Sequence, residues 1–361
     1  MLLTIVAFIV CLGLLVLVHE LGHFLAAKTA GVKVLEFSIG FPPRIYTFKR
    51  KETKYSIGLL LFGGYVQMLG EEEESKDPRA YNNQSPLRRF FISIAGVVMN
   101  FLLAWILITI GFTVGMTPIA TPSEMIPGKV VKAQVFIVET LADSPAAKGG
   151  LEAGDQIIEL KYQDQAVRPK SLADVSNFTT AHLGNSIIIE LKRDNQTLEK
   201  TVTISEDKSA PLGVSITNQS IVRVPWYKAP IVSLRESYEI LKITFDFLGS
   251  FVKELFSTGH VSDQVGGPVA IFNLSGVAAR AGIIAFLQFI AILSINLGLV
   301  NSLPFPSLDG SRALLTIIEK ITKKRVLKEN VENIVHLVGF AILILLILAI
   351  TYKDIIHLIV K

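Results

Sequence analysis

His19-Glu20-Leu21-Gly22-His23 sets two imidazoles four residues apart with a carboxylate between them. On a helix the two histidines share one face, one turn apart, and can grip a single Zn²⁺. Glu20 is then suited to take a proton from a metal-bound water. The motif closes a stretch, residues 1–18, that holds no charged side chain. Such a stretch is nearly long enough to cross a bilayer. Ionisable residues that continue an apolar helix are costly in hydrocarbon and mark a functional site by default. The chemistry implied is hydrolysis by an activated water at membrane depth. An H-E-x-x-H also arises by chance on ordinary helices, so its place at the end of this run carries more weight than the motif itself.

Two histidines do not complete a hydrolytic zinc site, which needs a third protein ligand and one open position. Some soluble zinc proteases supply that ligand in the longer form H-E-x-x-H-x-x-G-x-x-H. Here Ala26 and Thr29 occupy the glycine and third-histidine positions. The third ligand must therefore be remote, acidic or histidine, and at membrane depth. Asp309 is the outstanding candidate. It ends the uncharged run 281–308, within Asn301-Ser302-Leu303-Pro304-Phe305-Pro306-Ser307-Leu308-Asp309-Gly310. A carboxylate there needs a partner, and a zinc ion would supply one. Two prolines and Gly310 break the helix and free backbone groups beside it. Read alone, Asp309 also fits an ordinary helix-end residue. His336 fits packing in its own apolar run better than ligation.

The elements that must hold these groups are membrane helices. Half of the 361 residues are apolar. They concentrate in 1–18, 90–115, 281–308 and 334–352, each read as a transmembrane helix. The first lacks the basic start and small-residue cleavage site of a signal peptide, so it is expected to stay. Cys11 is the single cysteine, which excludes an internal disulfide and a cysteine zinc cluster. Net charge is +4, with no basic, aromatic-interleaved stretch, and no nucleic-acid partner is expected. Lys and Arg gather from Lys28 to Arg89 and from Arg312 to Lys328. Both loops are expected in the cytoplasm, with both termini and the long segment 123–280 outside. The His-Glu motif and Asp309 then lie toward the cytoplasmic ends of their helices.

Between the first two runs, 32–37 and 44–48 read as short strands around Ser38-Ile39-Gly40-Phe41-Pro42-Pro43. Residues 55–68 read as a hairpin that turns at its glycines. It is apolar for a loop and either packs on the helices or dips into the membrane. The acidic run from Glu71 to Glu74 reads as solvated. From 130 to 217, alternating strands, two short helices and a turn at Asp194-Asn195-Gln196 give a compact β-rich domain. A proline-containing linker, 224–230, leads to an amphipathic helix at 231–256. Its charges suit a surface better than a crossing.

On these residues the chain resembles the site-2 protease family of intramembrane zinc metalloproteases, in its bacterial form with one extracytoplasmic PDZ domain. The likeness is carried by the His-Glu motif, Ser38-Ile39-Gly40-Phe41, Phe62-Gly63-Gly64-Tyr65-Val66, Gly96 to Asn100, Gly266-Gly267-Pro268 and Asn301 to Gly310. Gly154-Asp155 resembles part of the PDZ signature. The resemblance implies a polytopic α-helical membrane protein with four transmembrane helices, an inserted α+β PDZ domain and a membrane-associated β-hairpin. It divides the chain into 1–118 and 280–361 as the halves of the membrane core, 119–222 as the PDZ domain and 223–279 as an amphipathic region. It implies zinc ligands His19, His23 and Asp309, Glu20 as catalytic base, and Asn301 beside the substrate or the developing oxyanion. Gly63, Gly64, Tyr65, Val66 and Asn100 are implied to bind substrate. Val97 stands where similar sequences often have proline, and Ser311-Arg312 replaces a glycine-containing continuation. Neither departure removes a ligand or the base.

The activity implied is cleavage of the transmembrane segments of single-span proteins, such as anti-sigma factors or remnant signal peptides. It would follow trimming by an upstream site-1 protease, in the inner (cytoplasmic) membrane of a bacterium. One alternative is a non-proteolytic membrane adaptor working through its PDZ domain, for which Glu20→Gln would be silent. Another is a zinc transporter, which needs metal-binding residues on several helices. The second and fourth runs offer only Asn100 and His336.

Overall fold

A computed structural model describes residues 1–71, 75–193, 196–207, 210–258, 266–324, 327 and 329–360. Residues 72–74 of the acidic run, and Asp194 and Asn195 of the expected turn, lie outside these. In chain order the first elements are α1 (Leu2–Thr29), β1 (Val34–Arg50), β2 (Thr53–Met68) and α2 (Pro86–Val114). Then come β3 (Lys129–Thr140), α3 (Pro145–Lys148), β4 (Gln156–Tyr162), β5 (Gln165–Val167), α4 (Leu172–Ala181), β6 (Ser186–Arg193), β7 (Gln196–Thr203) and β8 (Val214–Arg223). The chain ends with α5 (Ala229–Thr258), α6 (Pro268–Ala281), α7 (Ile283–Ser302), α8 (Asp309–Thr322) and α9 (Glu329–Val360). Met1–Gly111 together with Ser233–Lys361 form one compact unit, and Phe112–Val232 form another.

Among the described residues, four helical segments are long and apolar enough to cross a membrane: Leu2–Thr29, Pro86–Val114, Ile283–Ser302 and Ile334–Ile356. The third ends earlier than its uncharged run. Proline has no N–H for the helical ladder, so the chain leaves the helix at Leu303, passes Pro304 and Pro306, and resumes at Asp309 as α8. Neither α6 nor α8 stands out as an apolar run, and both are short helices here. Gly276 of α6 abuts the Thr4 side chain of α1 too closely to admit a Cβ. Beside it Phe8 and Phe272 meet edge to face at 5.4 Å.

The expected hairpin within 55–68 is a single strand instead. β1 and β2 form one long antiparallel ribbon whose turn lies at Lys51 and Glu52, ahead of that segment. The glycines serve close approach rather than a turn. A Cβ on Gly58 would strike the backbone of Gly40 and Phe41, and one on Gly63 would strike the Phe41 ring. The ribbon's register shifts repeatedly between Val34 and Tyr46. Phe37, Val66 and Met68 of the ribbon bury with Ala27, Val32 and Ile92, which fixes it against α1 and α2.

The second unit is a mixed sheet and helix fold. Its sheet runs β7-β6-β4-β3-β8, with β5 on β4, and every pairing is antiparallel. Alternation along β6 turns Ile187, Ile189 and Leu191 into the core, as a one-sided strand requires. Ser171 caps α4 through a reciprocal box with Asp174. Asp155 is fully buried and takes Arg193 Nε at 2.7 Å and Nη2 at 2.8 Å.

Candidate metal centre

His19 and His23 lie on one face of α1, in its last three turns up to Thr29, and both are buried. Helical spacing of four residues brings their Nε2 atoms to 3.3 Å. Asp309 opens α8 from across the proline loop. Its Oδ2 stands 3.1 Å from His19 Nε2 and 3.2 Å from His23 Nε2. Gly310 permits this placement, since a Cβ there would collide with the carbonyls of Ser302 and Leu303 at the end of α7.

The three atoms form a nearly equilateral triangle. A tetrahedral zinc shell with bonds of about 2.0–2.1 Å sets its ligand atoms roughly 3.3–3.4 Å apart. Asp309 Oδ2 is buried and accepts no hydrogen bond among the described residues. A shared cation satisfies that oxygen and both nitrogens at once, so the donor set and its spacing fit zinc.

The far side of each imidazole is also held. His23 Nδ1 lies 2.8 Å from the Ile92 carbonyl of α2, to which only a protonated Nδ1 can bond, leaving Nε2 with its lone pair. His19 Nδ1 lies 3.1 Å from the amide group of Asn100, on Nδ2 as placed. Asn100 is fully buried, and its Oδ1 has no partner among the described residues. A half-turn of the amide gives that oxygen the His19 Nδ1–H and frees His19 Nε2 in the same way. Asn100 therefore stands behind His19. Gly96, one turn earlier on α2, faces both imidazoles so closely that no side chain fits.

A cavity of about 180 Å³ opens on this triangle, and Glu20, Gly64, Tyr65 and Val66 line it with the three candidate ligands. Gly64 lets β2 lie against α1, since a Cβ there would come within 3.1 Å of Glu20 Cγ. Tyr65 stacks on Phe41, with centroids 6.4 Å apart, and its hydroxyl accepts from Arg44 at 3.2 Å. Arg44 also donates to Glu36 at 2.7 Å. Burial pushes the Glu36 carboxyl up, yet the hydrogen bonds from Ser56 and Tyr65 and the Arg44 charge bring it below the usual carboxylate range.

Asn301 sits in the last turn of α7, half-buried, and does not line this cavity. His336 accepts the Ser307 amide N–H at 2.8 Å and so braces the proline loop. Ser307 needs that support because its φ of 80° is left-handed. Sequence reasoning had no signal for the Ile92 carbonyl, a backbone atom brought in by packing. It also passed over Tyr81 and Ser93, which line the cavity as well, and it read Glu71 as part of a solvated run, whereas Glu71 is largely buried on the cavity wall, drawn there by an ion pair. Arg312, read from the sequence as a departure in the motif and as the start of a cytoplasmic basic cluster, lines the cavity and pairs with Glu71 there.

The sequence profile of Peptidase family M50 matches residues 7–346. A protein of Clostridium acetobutylicum, provisionally named a zinc metalloprotease, is 38% identical, over 98% of this chain and 97% of that one. The Bacillus subtilis regulator of sigma-W protease RasP is 29% identical, over 98% of each chain. The Salmonella typhimurium regulator of sigma-E protease RseP is 28% identical, over 96% of this chain and 97% of that one. The last two alignments run 441 and 448 positions, longer than the 361 residues here, so those relatives carry segments without a counterpart in this chain.

Proposed function

Because the chain belongs to Peptidase family M50, the site-2 metalloproteases, we propose that it cuts the transmembrane segments of single-span membrane proteins. The observation that carries this reading is the triangle of His19, His23 and Asp309 with Glu20 on the same small cavity. These three residues would hold a zinc ion, which when bound polarises the scissile carbonyl and acidifies the attacking water. Glu20 takes that water's proton and returns it to the leaving amine. Asn100 and the Ile92 carbonyl keep the two imidazoles in the tautomer that turns Nε2 inward.

A substrate helix has its carbonyls bonded internally, so the segment unwinds before attack. Backbone groups of β2 around Gly64, Tyr65 and Val66 receive it as an added strand, and the ribbon dips to membrane depth to do so. Asn301, off the cavity wall, contacts the substrate beyond the cut rather than the oxyanion.

The distribution of Lys and Arg supports cytoplasmic loops at both candidate ligand sites, with the strand-rich unit and both termini outside the inner membrane of a bacterium. Likeness to the sigma-W and sigma-E regulators supports anti-sigma factors as substrates, with remnant signal peptides as a second class. An upstream protease trims the substrate first, and the strand-rich unit, read as a PDZ domain, admits the trimmed end.

The test is cleavage of a model single-span substrate by the purified chain in reconstituted membranes. Glu20→Gln should keep its zinc and lose turnover by ~10²–10⁴-fold. Cleavage that survives Glu20→Gln undiminished sinks the proposed mechanism, and no cleavage by the wild type sinks the protease reading and leaves the adaptor.

A further inference from the structure

The second unit contains a cavity of about 740 Å³ that the proposed chemistry does not use. It is walled by the strand ends entering β3 and leaving β8, and by Thr113 in the last turn of the second membrane-spanning helix. Lys129, Arg223 and Lys228 line it, and among the described residues no acidic one does. Three cations elsewhere in this unit are paired with carboxylates. Lys161 meets three glutamates, Arg168 meets Glu159, and Arg193 meets Asp155 and Glu152. Among the described residues, Arg223 reaches only the Thr113 carbonyl at 3.1 Å, and Lys228 only the Tyr227 ring face at 5.9 Å. Three gathered positive charges repel one another, and an anion relieves them.

The neighbourhood says which anion. Trp226 lies on the cavity wall and is 76% exposed, with Tyr227 exposed beside it. Half-apolar rings next to cationic side chains, just past the end of a membrane span, are the composition of a membrane–water boundary. Immediately after Lys228, α5 presents Ile231, Leu234, Tyr238, Phe245 and Val252, all exposed. Their spacing of three, four, seven and seven puts them on one face, as in a helix lying on lipid. A soluble anion explains the cations and leaves the rings and this stripe unaccounted for. A lipid explains all three.

We propose that the cavity binds the phosphate headgroup of an anionic phospholipid, with Lys129, Arg223 and Lys228 around the phosphate and Trp226 beside the glycerol and upper acyl region. The lipid would fasten the strand-rich unit to the bilayer surface where the second span emerges.

Native mass spectrometry of the purified full chain from mixed phosphatidylglycerol and phosphatidylcholine nanodiscs tests this. The wild type should retain phosphatidylglycerol in preference by roughly tenfold to hundredfold. A Lys129→Gln, Arg223→Gln, Lys228→Gln chain with unchanged melting and zinc content should hold the two lipids about equally. Glycerol phosphate at millimolar concentration should not displace the lipid. Equal retention by the wild type, which requires no variant to fold, overturns the proposal. So does undiminished preference in the triple variant. Displacement by glycerol phosphate would make the site one for a soluble anion and overturn the lipid assignment.

Discussion

Asn100 shows what a buried amide can do for a metal ligand. It makes no contact with the cavity, yet its amide lies 3.1 Å from His19 Nδ1, and Ser294 Oγ donates to its backbone carbonyl at 2.7 Å. That second bond ties α2 to α7 and fixes where the amide points. Replacing Asn100 by Leu removes the acceptor for His19 Nδ1–H. Outer-shell partners of this kind are worth about 10–100-fold in metal affinity. Zinc titration of the apo chain should therefore weaken by that factor for Asn100→Leu and recover for Asn100→Asp, which restores an oxygen. Equal affinity in all three would assign Asn100 a packing role only. The signal for this residue was its match to a family motif, which pointed to substrate binding. Its burial behind His19 is a tertiary fact that four-residue spacing on another helix does not encode.

At the scale of elements, local signals read well and long-range ones did not. Two histidines at helical spacing ending an uncharged run need only one helix to make sense, and that helix is α1. Pro304, Pro306 and Gly310 announce a break, and the break falls between α7 and α8. The β1–β2 ribbon was harder, because its glycines suggest a turn while their use is to let Phe41 and α1 come close. The alternation that marks a one-sided strand fails there too, since Phe37, Val66 and Met68 pack on helices while Ile45, Tyr46 and Phe48 stand exposed. The ribbon nonetheless has a testable role. Tyr65→Pro removes one backbone donor from β2 beside the cavity. Turnover of a transmembrane substrate should fall roughly two- to tenfold, the worth of one backbone hydrogen bond, with zinc content unchanged. Loss of zinc would show instead that the strand holds up the metal ligands.

The whole molecule joins two kinds of stability. The first unit rests on apolar helices and ties between them, such as Arg89 to Glu319 at 2.6 Å. The second rests on a sheet core and on the pairing of buried Asp155 with Arg193. Burial raises the Asp155 carboxyl, but hydrogen bonds from Arg193 and the Glu152 amide hold it below the ordinary carboxylate value. A lowered folded pKa means that Asp155 contributes stability above the unfolded value of about 3.9. This stability is lost as pH falls through 4 toward the depressed folded value. Protection of the β3, β4 and β6 amides of the full chain against hydrogen exchange, relative to the intrinsic rate at each pH, should fall below pH 4. Asp155→Asn should cost about 1.5–3 kcal/mol at pH 7 and flatten that acid response. A variant with the wild-type pH profile would remove Asp155 from this role. The central claim concerns the other unit, and zinc K-edge X-ray absorption on the purified chain addresses it most directly. One zinc per chain is expected, bound by two imidazole nitrogens and a carboxylate oxygen at about 2.0–2.1 Å, with the oxygen contribution or the metal itself lost in Asp309→Asn. A shell unchanged in that variant would contradict the account.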